Sequence, residues 1–395
     1  NQYSDDSAAN NLHRLRAILD GTLPADQLEE VSRLARRYAV DLNILEREQW
    51  QETVADTLVA ADKTDLARQW ISRLEENGSA SGLVHAGDFH ADRDEWPAAA
   101  KDYANAFEHD RTQAAALFLQ GWALSRSGHA SEGAPLMEQA HQLPLGNETG
   151  RFALAEALAR HKLTDDLRRE FDLIIHATAP RSWERNDAMR RLAQIQYDKG
   201  DYAAAADLWE QAFLQNFSTN VSFSEPWAYA VVPSLIHKTR ALGLIQSNRP
   251  SDAMIEAQLS FVDAPGDADA LIELVNAFDK AGHKAEADAL YAKQVAAYQK
   301  NVSDYPESGP LHNQLAWAQC MCHRDLNDAL KNAKRAVELE PTSTASLDTL
   351  AEAYFALGDP ASAAAQMKRC VELEPKVERH RTQLQRFEAA QKQPK

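Results

Sequence analysis

A chain of 395 residues that is 44% hydrophobic and 26% charged has the balance of a folded, soluble protein, and its formal net charge of −17 repels phosphate backbones. Nucleic acid is therefore excluded as the main partner, and the lack of any apolar run of about 18 residues excludes a membrane span. Three cysteines, Cys320, Cys322 and Cys370, are too few for a disulfide framework.

In chain order, Asn11 to Leu19 and Pro24 to Tyr38 read as an amphipathic helix pair with Gly21 between them. Residues 1–44 are thus expected to form an N-terminal tail and cap. The chain opens at Asn1 without Met or a signal-like segment, as a trimmed or mature form would. A cytoplasmic location and export after signal removal both stay open.

From residue 45 onward a triplet at i, i+4 and i+7 recurs nine times, as in Ala205, Trp209 and Ala212. Its first positions are Ala67, Ala99, Gly133, Leu167, Ala205, Ala253, Ala287, Ala329 and Ala363. Seven of the nine are Ala, although only 69 of 395 residues are, so composition does not account for the pattern. This spacing lies on one stripe of a helix, and Ala at its head lets two backbones approach closely. About one helix length before each triplet lies a second amphipathic segment, such as Leu271 to Phe278. Between the two segments sit turn residues, with Gly128, Gly200, Gly282 and Gly358 in one shared place.

The first positions are 32, 34, 34, 38, 48, 34, 42 and 34 residues apart. RAVELEP, Arg335 to Pro341, returns as RCVELEP, Arg369 to Pro375, at the same interval of 34. A period of this size marks helix pairs that bury their apolar faces only by stacking. Repeats 1–5 are assigned to residues 45–215 and repeats 6–9 to 234–375. Between them residues 216–233 form an insertion rich in aromatics: Phe217, Phe223, Trp227 and Tyr229. A second lengthening is placed in the connection around Asn301 to Pro310. Residues 376–395 read as a polar capping helix and tail, carrying Arg379, Arg381 and Arg386.

These residues resemble the tetratricopeptide repeat over about residues 45–375. Two units match best: Ser343 to Pro375, with Ala351, Tyr354, Ala363 and Pro375, and Ala188 to Asn216, with Ala193, Ala205, Trp209 and Ala212. The resemblance implies an all-α fold, an α-α superhelix or solenoid of nine to ten helix pairs with a C-terminal capping helix. It also implies that the first helix of each pair lines a concave groove where a partner lies.

Residues two before and two after the small position of each first helix would then face that groove. They are Glu52, Asp56, Asp88, Asp92, Phe118, Trp122, Arg126, Glu156, Arg190, Gln194, Asn276, Trp317, Asp348 and Glu352. Acidic groups outnumber basic ones, and Phe118, Trp122 and Trp317 offer apolar contacts. Such a groove would favour a protein or peptide partner bringing basic and apolar groups. Some family members grip a C-terminal carboxylate with Lys and Asn on consecutive first helices. Here Asn276 has Ile272 one turn before it, where that Lys would stand.

No phosphate loop, nucleophile elbow, HExxH or paired CxxC is present, so no catalytic, cofactor or metal residue is assigned. In CMCH, Cys320 to His323, too few ligands converge for a closed tetrahedral shell, and the cysteines read as packing groups. In HAGDFHADRD, His85 to Asp94, the side chains of His85, Asp88 and Asp92 share a helical face that reads as solvated. The expected function is a non-catalytic protein–protein interaction scaffold. The alternative is a regulatory or substrate-recruiting repeat module of a larger enzyme or signalling protein, with self-association through the end units as a third reading.

Overall fold

The computed structural model describes residues 44–143, 148–218 and 228–392, together with positions 13, 14, 16, 17 and 33. Apart from those five positions, the expected N-terminal helix pair lies outside the described residues, as do residues 219–227 of the expected insertion. The chain divides into two compact units, Asn1–Ala188 and Met189–Lys395. Every regular element among the described residues is a helix.

The helices come in pairs. They are α1 (Ile44–Ala60) with α2 (Thr64–Asn77), α3 (Ala80–Ala91) with α4 (Trp96–His109), α5 (Ala114–Arg126) with α6 (Ala130–Gln142), and α7 (Glu148–Arg160) with α8 (Thr164–Ala177). Next come α9 (Trp183–Asp198) with α10 (Tyr202–Ser218), α11 (Ala228–Gln246) with α12 (Pro250–Asp263), and α13 (Ala268–Lys280) with α14 (Lys284–Asp304). The last pairs are α15 (Gly309–Met321) with α16 (Leu326–Leu339) and α17 (Thr344–Ala356) with α18 (Pro360–Leu373), before a final helix, α19 (Glu378–Gln391). Odd-numbered helices are the first helices of their pairs.

Each of the nine triplets falls on a second helix. All their positions are buried except Met137, which is half-buried. The pair α5–α6 shows why small residues head the stripe. A Cβ on Gly133 would stand 2.2 Å from the Gly121 carbonyl oxygen, and one on Gly121 would stand 2.5 Å from that of Gly133. Backbone meets backbone there, and no side chain fits between.

One device makes every turn within a pair. The residue after the turn donates its N–H back across five residues, as from Lys63 to Leu58, Leu163 to Leu158, His283 to Phe278 and Asp359 to Tyr354, each at 2.9 Å. The residue before the donor has positive φ. This is the Schellman ending, in which a left-handed residue closes the helix and satisfies its last carbonyls. Glycine fills the left-handed place at Gly128, Gly200, Gly282 and Gly358, and Asp62, Asp94, Lys162, Asn248 and His323 fill it in the other five pairs.

Where the spacing departs from 34, the helices absorb most of the difference. α14 has 21 residues against 14 in α12, α16 and α18. The lengthening expected in the connection near Asn301 is therefore additional helix, ending at Asp304. One more residue enters the α15–α16 turn, where His323 and Asp325 both have positive φ. Residues 216–218 and 228–233 of the expected insertion are likewise helical, closing α10 and opening α11.

α19 caps the second unit. Phe387 is fully buried in a cluster with Leu347, Ala351, Ala363 and Met367. In the first unit a buried ionic network ties α6, α7 and α8 together. Glu170 receives Arg151 Nη1 at 2.8 Å and faces His141 Nδ1 at 2.8 Å, while Arg151 also donates to the His141 carbonyl at 2.9 Å.

A side chain in the left-handed region costs about 1–2 kcal/mol that glycine does not. Lys162→Gly should raise stability by about 1 kcal/mol, read as a higher urea midpoint. Gly133→Ala should lower it by about 1–3 kcal/mol through overpacking.

Candidate partner-binding site

The first unit holds a pocket of about 300 Å³ walled by Asp56, His85, Asp88, Asp92, Arg93 and Arg160, with Val59 and Phe89. The helical face read from His85, Asp88 and Asp92 thus exists, but it is only partly solvated because Asp88 is buried. Tyr103 Oη donates to Asp88 Oδ1 at 2.8 Å, His161 Nε2 lies 2.9 Å from the same oxygen, and Arg160 Nη1 pairs with Oδ2. Burial pushes the Asp88 carboxyl up, but His161, Arg160 and Tyr103 outweigh it and hold it below the usual range. Asp56, exposed on α1, lies 3.2 Å from His85 Nε2. Glu52 is half-buried on the same helix, and burial pushes its carboxyl up.

Trp122 is half-buried, with its ring 5.1 Å from Trp96 and 4.7 Å from His161, and the Arg126 guanidinium stands 4.8 Å over Trp96. Phe118 corrects the expectation. It is fully buried, edge-on to His141 at 5.3 Å, and belongs to the core. Glu156 and Asp92 are exposed. Arg160 and His161 escaped the sequence reading because they lie one turn beyond the positions taken as groove-facing on α7. Carrying each row one turn further toward the helix end would have found them.

In the second unit a cleft of about 630 Å³ runs across the starts of α13, α15, α17 and α19. Trp317 and Asp348 meet there, with Asp267, Asp269, Asn313 and Arg379 among their neighbours. Asp267 caps α13 by accepting from the Ala270 N–H at 2.9 Å, while Asp269 is exposed. Asn313 Oδ1 is buried and has no hydrogen-bond partner among the described residues.

The other expected groove residues of this unit lie outside the cleft lining. Arg190 is exposed. Gln194 donates to Asp198 at 2.8 Å, and Asn276 donates to the Met321 carbonyl at 3.3 Å, joining α13 to the end of α15.

Asp348 and Glu352, expected as open groove carboxylates, are buried under the cap. Arg379 reaches Asp348 at 3.1 Å and Arg386 reaches Glu352 at 2.7 Å. Gln383 Nε2 donates to Glu352 at 3.0 Å and lies 3.4 Å from Asp348. Burial pushes the Asp348 carboxyl up even with Arg379 opposing it. Cys320 and Cys322 are buried, and that burial pushes both thiols up to about 12, as packing groups require. His323 sits exposed in the turn.

No protein-family model matches the chain, and no curated protein matches it. Among solved structures it is similar to TTC0263, a thermophilic tetratricopeptide protein of Thermus thermophilus, at 19% identity over 52% of this chain and 98% of that one, with a TM-score of 0.32. It is also similar to yeast Tom70, at 12% identity over 88% and 89% with a TM-score of 0.31. A third similarity is to a tetratricopeptide protein of Parabacteroides merdae, at 12% identity over 79% and 100% with a TM-score of 0.33. With its recurring 34-residue period, small-residue stripes and, among the described residues, nine Schellman-closed helix pairs, the chain has a tetratricopeptide-like fold.

Two outcomes follow from these contacts. Burial pulls the His85 imidazole down, but the hydrogen bond and charge of Asp56, with Glu52 and Asp88, leave it above its ordinary 6.5. Folded His85 therefore holds its proton more tightly than unfolded His85, and this contribution is complete below pH 6.5 and lost as pH rises through the raised value. An NMR titration of the His85 ring should show a midpoint above 6.5 that falls in Asp56→Asn. Second, the double variant Asp348→Lys, Glu352→Lys should release α19. About 2 kcal/mol of lost charge-assisted contact would speed amide exchange in α19 roughly 30-fold while α13–α16 keep their protection.

Proposed function

We propose that this chain is a non-catalytic interaction scaffold, and that the cleft of the second unit receives a peptide segment bringing Lys or Arg beside an apolar side chain. The observation that carries the reading is the pairing, in one cleft, of half-buried Trp317 with the unpartnered buried Oδ1 of Asn313. The indole offers a flat apolar face that also attracts cations, and the amide oxygen beside it has no donor within the described fold. A volume of about 630 Å³ is in the range that binding clefts occupy.

Charge supports a basic partner. Asp269 is exposed at the rim, and the net charge of −17 draws cations and repels phosphate. The remaining lining groups hold structure in place. Asp267 caps a helix, Thr349 donates to the Ala345 carbonyl at 3.1 Å, and Asp348 is held by Arg379. None of them is arranged as a nucleophile against a base, which fits binding better than chemistry.

Selection from a random peptide library against the full chain tests the proposal. Enriched sequences should carry Lys or Arg next to an aromatic or aliphatic residue. Trp317→Ala should weaken the best peptide about 30-fold, near 2 kcal/mol, and Asp269→Lys about tenfold, with helical content unchanged. Enrichment of acidic peptides, or binding indifferent to both substitutions, would refute it.

A further inference from the structure

The ends of α2 and α3 and the middle of α4 meet at a single imidazole, two residues along α3 from Asp88. His90 is 9% exposed at its side chain, and its ring packs edge-on to Phe89 at 5.5 Å. Nδ1 lies 2.5 Å from Glu95 Oε2. Nε2 lies 2.9 Å from Glu75 Oε1 and 3.7 Å from Asp102 Oδ2.

Three carboxylates around one ring exceed what the ring can balance. Arg68 answers one of them, pairing with both oxygens of Glu95, one at 3.0 Å. Glu75 and Asp102 remain. The Asp102 side chain is only 5% exposed, and its Oδ2 has no hydrogen-bond partner among the described residues. Leaving a buried carboxylate oxygen unsatisfied costs about 1–3 kcal/mol or more.

We infer that His90 Nε2, Glu75 and Asp102 form a binding site for a divalent transition-metal ion of the zinc type. One nitrogen and two carboxylate oxygens make a ligand set that such ions accept, and a third protein ligand still leaves a coordination position for water. Bonds of about 2.0–2.2 Å in a tetrahedral shell place ligand atoms roughly 3.4 Å apart, between the two His90 distances of 2.9 and 3.7 Å. The surroundings are those of a metal-bound histidine. A ring that gives Nδ1–H to a carboxylate presents Nε2 as the ligand, and here that carboxylate, Glu95, is itself fixed by Arg68. Glu75, 35% exposed, opens the cluster to solvent on one side and gives the ion a way in. The competing arrangement is a protonated His90 bridging the carboxylates with no ion.

The test is zinc titration of the chelator-stripped full chain by calorimetry, with melting temperature read in parallel. One equivalent should bind and raise the melting temperature. Glu75→Gln and Asp102→Asn should each weaken binding at least tenfold, and Glu95→Gln by about 10–100-fold. Cobalt in place of zinc should give visible d–d absorption and shift the His90 ring signals in NMR. Should Asp102→Asn fail to fold, Glu75→Gln, at the solvent edge, carries the test alone. Absence of stoichiometric zinc binding, or affinity unchanged in Glu75→Gln, would overturn the inference.

Discussion

Two helices joined by a turn of three or four residues bury one stripe against each other and leave another stripe bare until the next pair covers it. The structure depends on how closely that stacking can be made. At Gly121 and Gly133 the backbones of α5 and α6 leave no room for a methyl group, and at Gly87 a Cβ would stand 2.5 Å from the Tyr103 ring. Close approach of this kind fixes the separation of the helices. Large side chains one turn on, such as Tyr103 and Phe171, then fill the wedge that opens beside it. The Schellman turn adds the second constraint, because it reverses the chain in the same register in every pair but α15–α16, which takes one more residue.

Both constraints act locally, so both left marks in the sequence. Stripes headed by a small residue in all but one case, Leu167, and spaced by 32 to 48 residues, located the nine second helices among the described residues. The turns were half legible. Four glycines announced the left-handed place, while Asp62, Asp94, Lys162 and Asn248 stand in the same register, five residues before the stripe, without announcing it. Register was the better guide there, because a hydrogen-bonded helix ending can impose a left-handed conformation on a residue that does not prefer it. Extra length was misread for a related reason. The residues that carry α14 on to Asp304 have no turn signal of their own, and a helix already running simply continues through them.

The clefts were less legible because their charges are balanced from a distance. Periodicity shows which face of α3 carries Asp88, yet the groups that hold it, Arg160 and His161, lie 72 and 73 residues further on. Asp348 and Glu352 show the same effect, since their partners come from the capping helix. Counting carboxylates along the first helices therefore overstated the negative charge open to a partner. Of the acidic positions nominated, Asp56, Asp88, Asp348 and Glu352 each face a basic side chain in the fold. Trp317 has a half-buried face in its cleft, whereas Phe118 was drawn inward by the core around His141.

That contrast separates carboxylates held by the protein from one that waits for something else. Asp88 and His90 are two residues apart on α3, so their side chains leave the helix in different directions. Asp88 meets Arg160, His161 and a tyrosine hydroxyl, and its charge is answered within the chain. His90 turns toward α2 and α4, where Arg68 answers Glu95 but no described donor reaches Asp102 Oδ2. Acidic residues are abundant in a chain of net charge −17, and most need no ion to explain them. A buried carboxylate oxygen without a donor, beside an imidazole whose other nitrogen already faces a carboxylate, is a different case. The charge on one side of α3 closes on itself, and on the other side one buried carboxylate oxygen is left without a described donor.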